Sequence, residues 1–186
     1  HPETAHFDLE QVQLSQLDVL VGIATSGRTP YVLAGLQFAK ELGATTIGLT
    51  CNQNSELAGI PDFMIAPVVG PEVISGSTRL KAGTATKMVL NMLTTGAMVR
   101  LGKTFENLMV DLRASNTKLT ERTHHIVKLL TDLETSAAQE LLDACEGELK
   151  TAIVSQLRNI SPAKARQLLE KASGHLRQAL EETADE

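Results

Sequence analysis

Tryptophan is absent from this 186-residue chain, and one tyrosine with four phenylalanines brings the aromatic share to only 3%. Stacking platforms for bases or sugar rings are scarce, so ligand recognition falls to polar side chains and backbone. Cysteine is as sparse: Cys51 and Cys145 cannot form a disulfide framework and read as reduced, structural residues. No metal site is expected, because no cluster has zinc-ligand spacing and His124-His125 lack a third ligand nearby. A basic excess is missing too, with 17 Lys and Arg against 22 Asp and Glu for a net charge of −5, which argues against a nucleic-acid partner. No apolar run approaches the ~20 residues of a bilayer-crossing helix, and no basic-then-apolar leader marks His1-Pro2-Glu3-Thr4, so no membrane partner is expected and a cytoplasmic location is. What remains is an ordinary globular balance, 42% hydrophobic and 21% charged, whose partners are small molecules or proteins.

The chain alternates strand-like and helix-like segments. Val19 to Ala24 is a short apolar run that fits a strand buried on both faces, and Thr25 to Thr29 then forms a turn. Pro30 opens a helix that Gly43 stops, and Thr46 to Thr50 reads as a second strand, parallel to the first. After a polar connection from Cys51 to Pro61, Phe63 to Val69 reads as a third strand ended by Gly70-Pro71. From Arg79 to Leu101 few breakers occur, and a stripe through Leu80, Thr84, Met88, Asn91 and Thr95 predicts a largely buried helix. A further helix is expected from Asn107 to Leu130.

The last fifty residues repeat themselves at a shift of 27 positions. Ala138, Leu141, Leu142, Gly147, Leu149, Lys150, Ala152 and Ile153 fall on Ala165, Leu168, Leu169, Gly174, Leu176, Arg177, Ala179 and Leu180. Thr135-Ser136 and Ser161-Pro162 offer caps, so about three short helices are expected, resembling the UBA-like fold. Such a unit can serve a partner or simply cover a neighbouring domain. Cys145 aligns with Ala172 and reads as a small core residue, while Glu181-Glu182 and Asp185-Glu186 read as a solvated end.

Two loops carry candidate chemistry. In Thr25-Ser26-Gly27-Arg28-Thr29-Pro30 the hydroxyls of Ser26 and Thr29, a glycine that admits close backbone approach, Arg28 and an oncoming helix N-terminus are the parts of an anion site at the carboxyl end of a parallel strand. Simple helix capping is the competing reading. In Pro71 to Thr84, Glu72, Ser77, Thr78 and Lys81 precede a helix. They compose either an internal ion pair from Glu72 to Arg79 or Lys81, or a sugar-phosphate pocket in which Glu72 bonds or moves a proton.

The two loops together, with Ser77 to Ala85, resemble the SIS (sugar isomerase) domain. Within that superfamily Ser26 to Val32, Gly76 to Thr84 and Asn107-Leu108-Met109-Val110-Asp111-Leu112 are similar to the N-acetylmuramic acid 6-phosphate etherase family, over Asp18 to about Leu180. The resemblance implies an α/β fold with a parallel, flavodoxin-like sheet. It would comprise a SIS domain over 1–130 that is incomplete on its N-terminal side, and a helical domain over 131–186. It also implies a cytoplasmic, homodimeric carbon–oxygen lyase of cell-wall sugar recycling. That enzyme cleaves the D-lactyl ether of N-acetylmuramic acid 6-phosphate to N-acetylglucosamine 6-phosphate and D-lactate, without metal or organic cofactor. The alternative is a non-catalytic module that binds hexosamine 6-phosphates. Family members place a first Gly-Thr-Ser-Gly-Arg loop and two catalytic glutamates upstream of the point matched by His1, so this chain alone is expected to be inactive. Neither Glu3 nor Glu10 substitutes for them. Ser26, Gly27, Arg28, Thr29, Glu72, Ser77, Thr78 and Lys81 are the implied substrate contacts, with Ala24 replacing the superfamily's usual first serine.

Overall fold

A computed structural model describes residues 1–181, so the acidic end at Glu182, Asp185 and Glu186 lies outside the described residues. Contacts divide the chain into two compact units, 1–92 and 93–186. In the first, α1 (Pro2–Gln11) leads to β1 (Val19–Ile23), α2 (Pro30–Glu41), β2 (Thr45–Leu49) and β3 (Phe63–Ile65). The three strands form one parallel sheet in the order β1-β2-β3, with Val19 opposite Thr45 and Ile47 opposite Phe63. Parallel pairing needs a crossover, which α2 supplies. Its buried Leu36 packs with Ala24 and Leu57 in a small core. Helix α1, which no sequence signal announced, packs on α2 through buried Ala5, and a Tyr31 hydroxyl donates to Asp8 at 2.8 Å. Asp62 ties β2 to the approach of β3 by accepting from both the amide and the hydroxyl of Thr46, at 2.9 and 2.7 Å.

Two strand expectations change. The third strand stops at Ile65, well short of Val69. Strand β1 is half open, with Val19 57% exposed, because it is an edge strand of the described sheet and has a neighbour on one side only. Gly48, central in β2, marks a close approach: a Cβ there would stand 2.4 Å from Leu57 Cδ2 and 2.8 Å from Pro61 Cγ.

Helix α3 (Lys81–Arg100) forms where the apolar periodicity predicted a helix, yet it is not a buried one. Among its residues only Ala82 and Val89 are buried, and the predicted inward stripe of Leu80, Thr84, Met88, Asn91 and Thr95 is exposed. Met88 and Met92 are 59% and 63% exposed, so the apolar content that suggested burial belongs to an open face.

In the second unit the expected helix from Asn107 begins ten residues later, as α4 (Thr117–Thr131) capped by the Asn116 side chain. The residues ahead of it form an antiparallel ribbon, β4 (Thr104–Phe105) and β5 (Leu108–Met109), because Glu106 turns in the left-handed region at φ +52°. Four helices follow where three were expected: α5 (Thr135–Ala144), α6 (Leu149–Arg158), α7 (Pro162–Lys171) and α8 (Leu176–Glu181). Ser161 caps α7 through the Lys164 amide, but Thr135 caps nothing and accepts from Lys128 Nζ instead. The repeat is reproduced bond for bond. Gly147 N–H donates to Leu142 O as Gly174 N–H donates to Leu169 O, and Glu148 to Cys145 O as His175 to Ala172 O. Ala138, Cys145, Leu149 and Ala152 share one core with Ala165, Ala172, Leu176 and Ala179, and Ile126 and Val127 of α4 join them. That shared core is why the division falls near residue 92, inside α3, whereas the sequence reading placed it after 130.

Two outcomes follow. Gly48→Ala forces Leu57 and Pro61 apart and should cost about 1–3 kcal/mol in urea unfolding, since overpacked cores lose that much. The open β1 edge and the exposed Met88 and Met92 face should make the isolated chain associate as its concentration rises. A single monomeric boundary in sedimentation velocity at all concentrations would contradict this.

Candidate functional site

The Thr25–Thr29 loop leaves β1 at its carboxyl end and is held from behind by the segment leaving β2. Thr25 O accepts from the Cys51 amide and from Thr50 Oγ1, both at 3.0 Å. Ser26 O accepts from Asn52 Nδ2 at 3.3 Å, and Gly27 O from the Leu57 amide at 3.1 Å. Three successive carbonyls are thus turned onto protein donors, which keeps their negative ends away from any anion approaching the other face. Gly27 closes the turn through its amide to Ala24 O at 2.8 Å, with φ +68°. A side chain there would meet both the left-handed backbone and Ser55, whose Oγ lies 2.1 Å from the position of a Cβ.

Ser26, Arg28 and Thr29 project from this loop and are exposed. Thr29 is the N-cap of α2, yet its side chain makes no cap bond, and the Val32 and Leu33 amides go to its carbonyl instead. Its hydroxyl is not spent on capping. Two exposed hydroxyls and a guanidinium thus flank the N-terminus of α2, residue types that suit an anionic ligand.

In the second loop the expected ion pair is replaced by a helix cap. Glu72 forms no ion pair with Arg79 or Lys81 among the described residues. Its two carboxylate oxygens accept the Lys81 and Ala82 amides, each at 3.0 Å, and cap α3. The Ala82 and Lys81 amides, with the Lys81 charge, hold its carboxyl below the usual carboxylate range. A carboxylate kept anionic by two donors suits hydrogen bonding and helix capping, not proton delivery. Ser77 is partly buried and Thr78 exposed on the turn before α3, and no hydrogen bond joins them to the Ser26 loop among the described residues. Lys81 leaves its amine exposed.

What joins the two regions is Cys51. Its amide holds Thr25, burial pushes its thiol up, and the Thr86 hydroxyl of α3 and the Glu72 carboxylate both act on it. Sequence reasoning treated Cys51 to Pro61 as a connecting loop or weak helix; its signal was a polar run placed directly at a strand's carboxyl end. His124 is partly buried and His125 exposed, and Cys145 is fully buried beside the repeat, as its alignment with Ala172 implied. In the second unit a cleft of about 430 Å³ is lined by Asp111, Arg113, Glu148 and Lys150. Burial pushes Asp111 up, but Lys103 and Lys150 at 2.5 and 3.1 Å overturn this and hold it low, so the charges answer one another.

The capping role sets a pH dependence. The folded pKa of Glu72 is depressed, so its stabilisation is complete above the unfolded value near 4.5 and fades as pH falls through the folded one. Glu72→Gln should therefore lower the melting temperature at pH 7 and lose that deficit in acid; parallel melting curves for the two proteins down to pH 2 would contradict this.

The SIS domain profile matches residues 4–96. The chain is 57% identical over 180 residues to the N-acetylmuramic acid 6-phosphate etherase of Rhodopirellula baltica, 97% of this chain and 60% of that protein. It is 51% identical to the etherase of Vibrio campbellii and 50% identical to that of Rhizobium rhizogenes, covering 97% and 96% of this chain and 58% of each relative. It spans about three fifths of the length of these curated relatives and matches their C-terminal part. A parallel sheet whose first strand ends in the Ser26 loop, matched over half the chain, makes this a member of the SIS domain family, with N-acetylmuramic acid 6-phosphate etherases as relatives.

Proposed function

We propose that this chain is the phosphate-binding part of a carbon–oxygen lyase that cleaves the D-lactyl ether of N-acetylmuramic acid 6-phosphate, giving N-acetylglucosamine 6-phosphate and D-lactate. The observation that carries the reading is the Ser26–Thr29 loop, with its carbonyls tied back and its hydroxyls free, in a chain half identical to proteins named for that activity. In this scheme the Ser26 and Thr29 hydroxyls and the α2 N-terminus hold the phosphate. Gly27 lets the backbone approach it, and Arg28 adds charge at the rim. Glu72 fixes the start of α3 and so places Lys81, while Ser77 and Thr78 serve the sugar hydroxyls.

The reaction removes the proton at C2, expels lactate, and returns water to the unsaturated intermediate, which needs carboxylates able to exchange protons. Glu72 has both carboxylate oxygens engaged by the amides that start α3, so we assign the acid and base to the rest of the full-length protein and expect this chain alone to be inactive. The protein acts in the cytoplasm as a homodimer on this reading, and the duplicated helices form a UBA-like appendage.

In the full-length protein, Ser26→Ala should raise KM for the 6-phosphate substrate about tenfold with kcat little changed, the cost of one hydrogen bond to a charged group. D-Lactate release measures both constants. An unchanged KM removes the loop from the phosphate site. Hexosamine 6-phosphate binding by the full-length protein without lactate release would make it a binding module instead.

A further inference from the structure

Ser55 Oγ is buried and has no hydrogen-bond partner, the one such side-chain atom found among the described residues. Buried hydroxyls are nearly always bonded, because an unmade bond in a low-dielectric setting is costly, so an orphan beside a site marks something the site does. Its neighbours are all engaged: Thr50 Oγ1 and the Cys51 amide on Thr25, the Asn52 amide group on Ser26, and the Leu57 amide on Gly27. Ser55 precedes the 3₁₀ turn at Glu56–Gly59, where its side chain makes no cap bond. It rests against Gly27, its Oγ 2.1 Å and its Cβ 2.3 Å from the place a Cβ on that glycine would occupy. The leftover hydroxyl therefore lies directly against the glycine of the Ser26–Thr29 loop.

We propose that Ser55 is a third hydroxyl of the phosphate site, joining Ser26 and Thr29 when the anion is bound. This rests on the reading of the loop given above. Ser55 as a residue is only partly buried, and serine has a single side-chain torsion with three staggered positions. On this proposal, rotation about χ1 is the movement that turns the oxygen away from Gly27 toward the anion, with the backbone in place. The same glycine contact explains why the hydroxyl has no protein partner: Gly27 offers only a carbon there, and its amide and carbonyl are already committed to Ala24 and Leu57.

The test uses the full-length protein with N-acetylglucosamine 6-phosphate as probe. Ser55→Ala removes an unpartnered polar atom, so without ligand it should melt no lower than the parent, while the Kd for the probe rises about tenfold. An unchanged Kd overturns the proposal, and a lowered melting temperature with unchanged Kd assigns the hydroxyl to an internal water. If Ser55→Ala lowers both stability and affinity, N-acetylglucosamine without the phosphate decides: an affinity loss confined to the 6-phosphate supports the proposal, and an equal loss for both sugars overturns it. Ser26→Ala, run beside these, separates the two readings. Weakened binding with Ser26→Ala and none with Ser55→Ala defeats only this inference, whereas normal binding in both defeats the phosphate loop as well.

Discussion

The Thr25 carbonyl is the point on which the candidate site turns. It takes two donors, one from backbone and one from a side chain, both delivered by the residues that leave β2. Parallel pairing of β1 with β2 is what brings those residues alongside, since the ladder that ends at Ile23 and Leu49 sets Thr50 and Cys51 next to Thr25. Once that carbonyl is fixed, Ser26 and Gly27 follow in register onto Asn52 and Leu57. The hydrogen-bonding capacity of the loop is then divided by direction, with acceptors inward and hydroxyls and helix amides outward. An anion is attracted to the second set only because the first is hidden.

The same logic sorts the two halves of the proposed pocket. The Ser26 loop spends its polar groups on protein at the back and keeps the front open. The Glu72 loop spends its carboxylate on protein entirely, as a cap for α3. One loop keeps its hydroxyls exposed and the other spends its carboxylate on a helix start, although their sequences carry similar residue types. The Cys51 amide holds the first loop and its thiol lies within reach of the Thr86 hydroxyl of α3, so the exit of β2, a stretch with no motif of its own, stands between the two.

How much of this was legible in the sequence depended on whether the determining partner lay nearby in the chain. Strands β1 and β2, helix α2 and the stop at Gly43 were legible because apolar runs and turn residues act locally. So was the 27-residue repeat, whose bonds recur pair for pair. The burial of α3 was misjudged because composition records that Met88 and Met92 are apolar but not whether anything covers them. The ribbon at Thr104–Met109 was hidden inside a helical pattern, since a non-glycine residue, Glu106, takes the left-handed turn. Helix α1 went unseen for lack of periodicity. In the site, Ser26 to Thr29 announced themselves by type and spacing. Ser55 and Asn52 did not, because their importance lies in facing a carbonyl or a glycine some twenty-five residues earlier.

The two copies of the repeat are alike in their turns but not in the cation that follows each turn. Lys150, in the first copy, reaches Asp111 at 3.1 Å and Gly174 O at 2.9 Å, just beyond β5. Arg177, its counterpart, pairs with Glu106 at the tip of the β4–β5 ribbon and lies over the Phe105 ring at 5.5 Å. Duplication has thus supplied two rivets for one strip of chain, one at its tip and one at its tail. A strip fastened at two places peels only when both fasteners open together, because whichever stays closed keeps the loose end within reach of its seat. The short ribbon, too small to persist by itself, takes its rigidity from equivalent positions of the repeated helices.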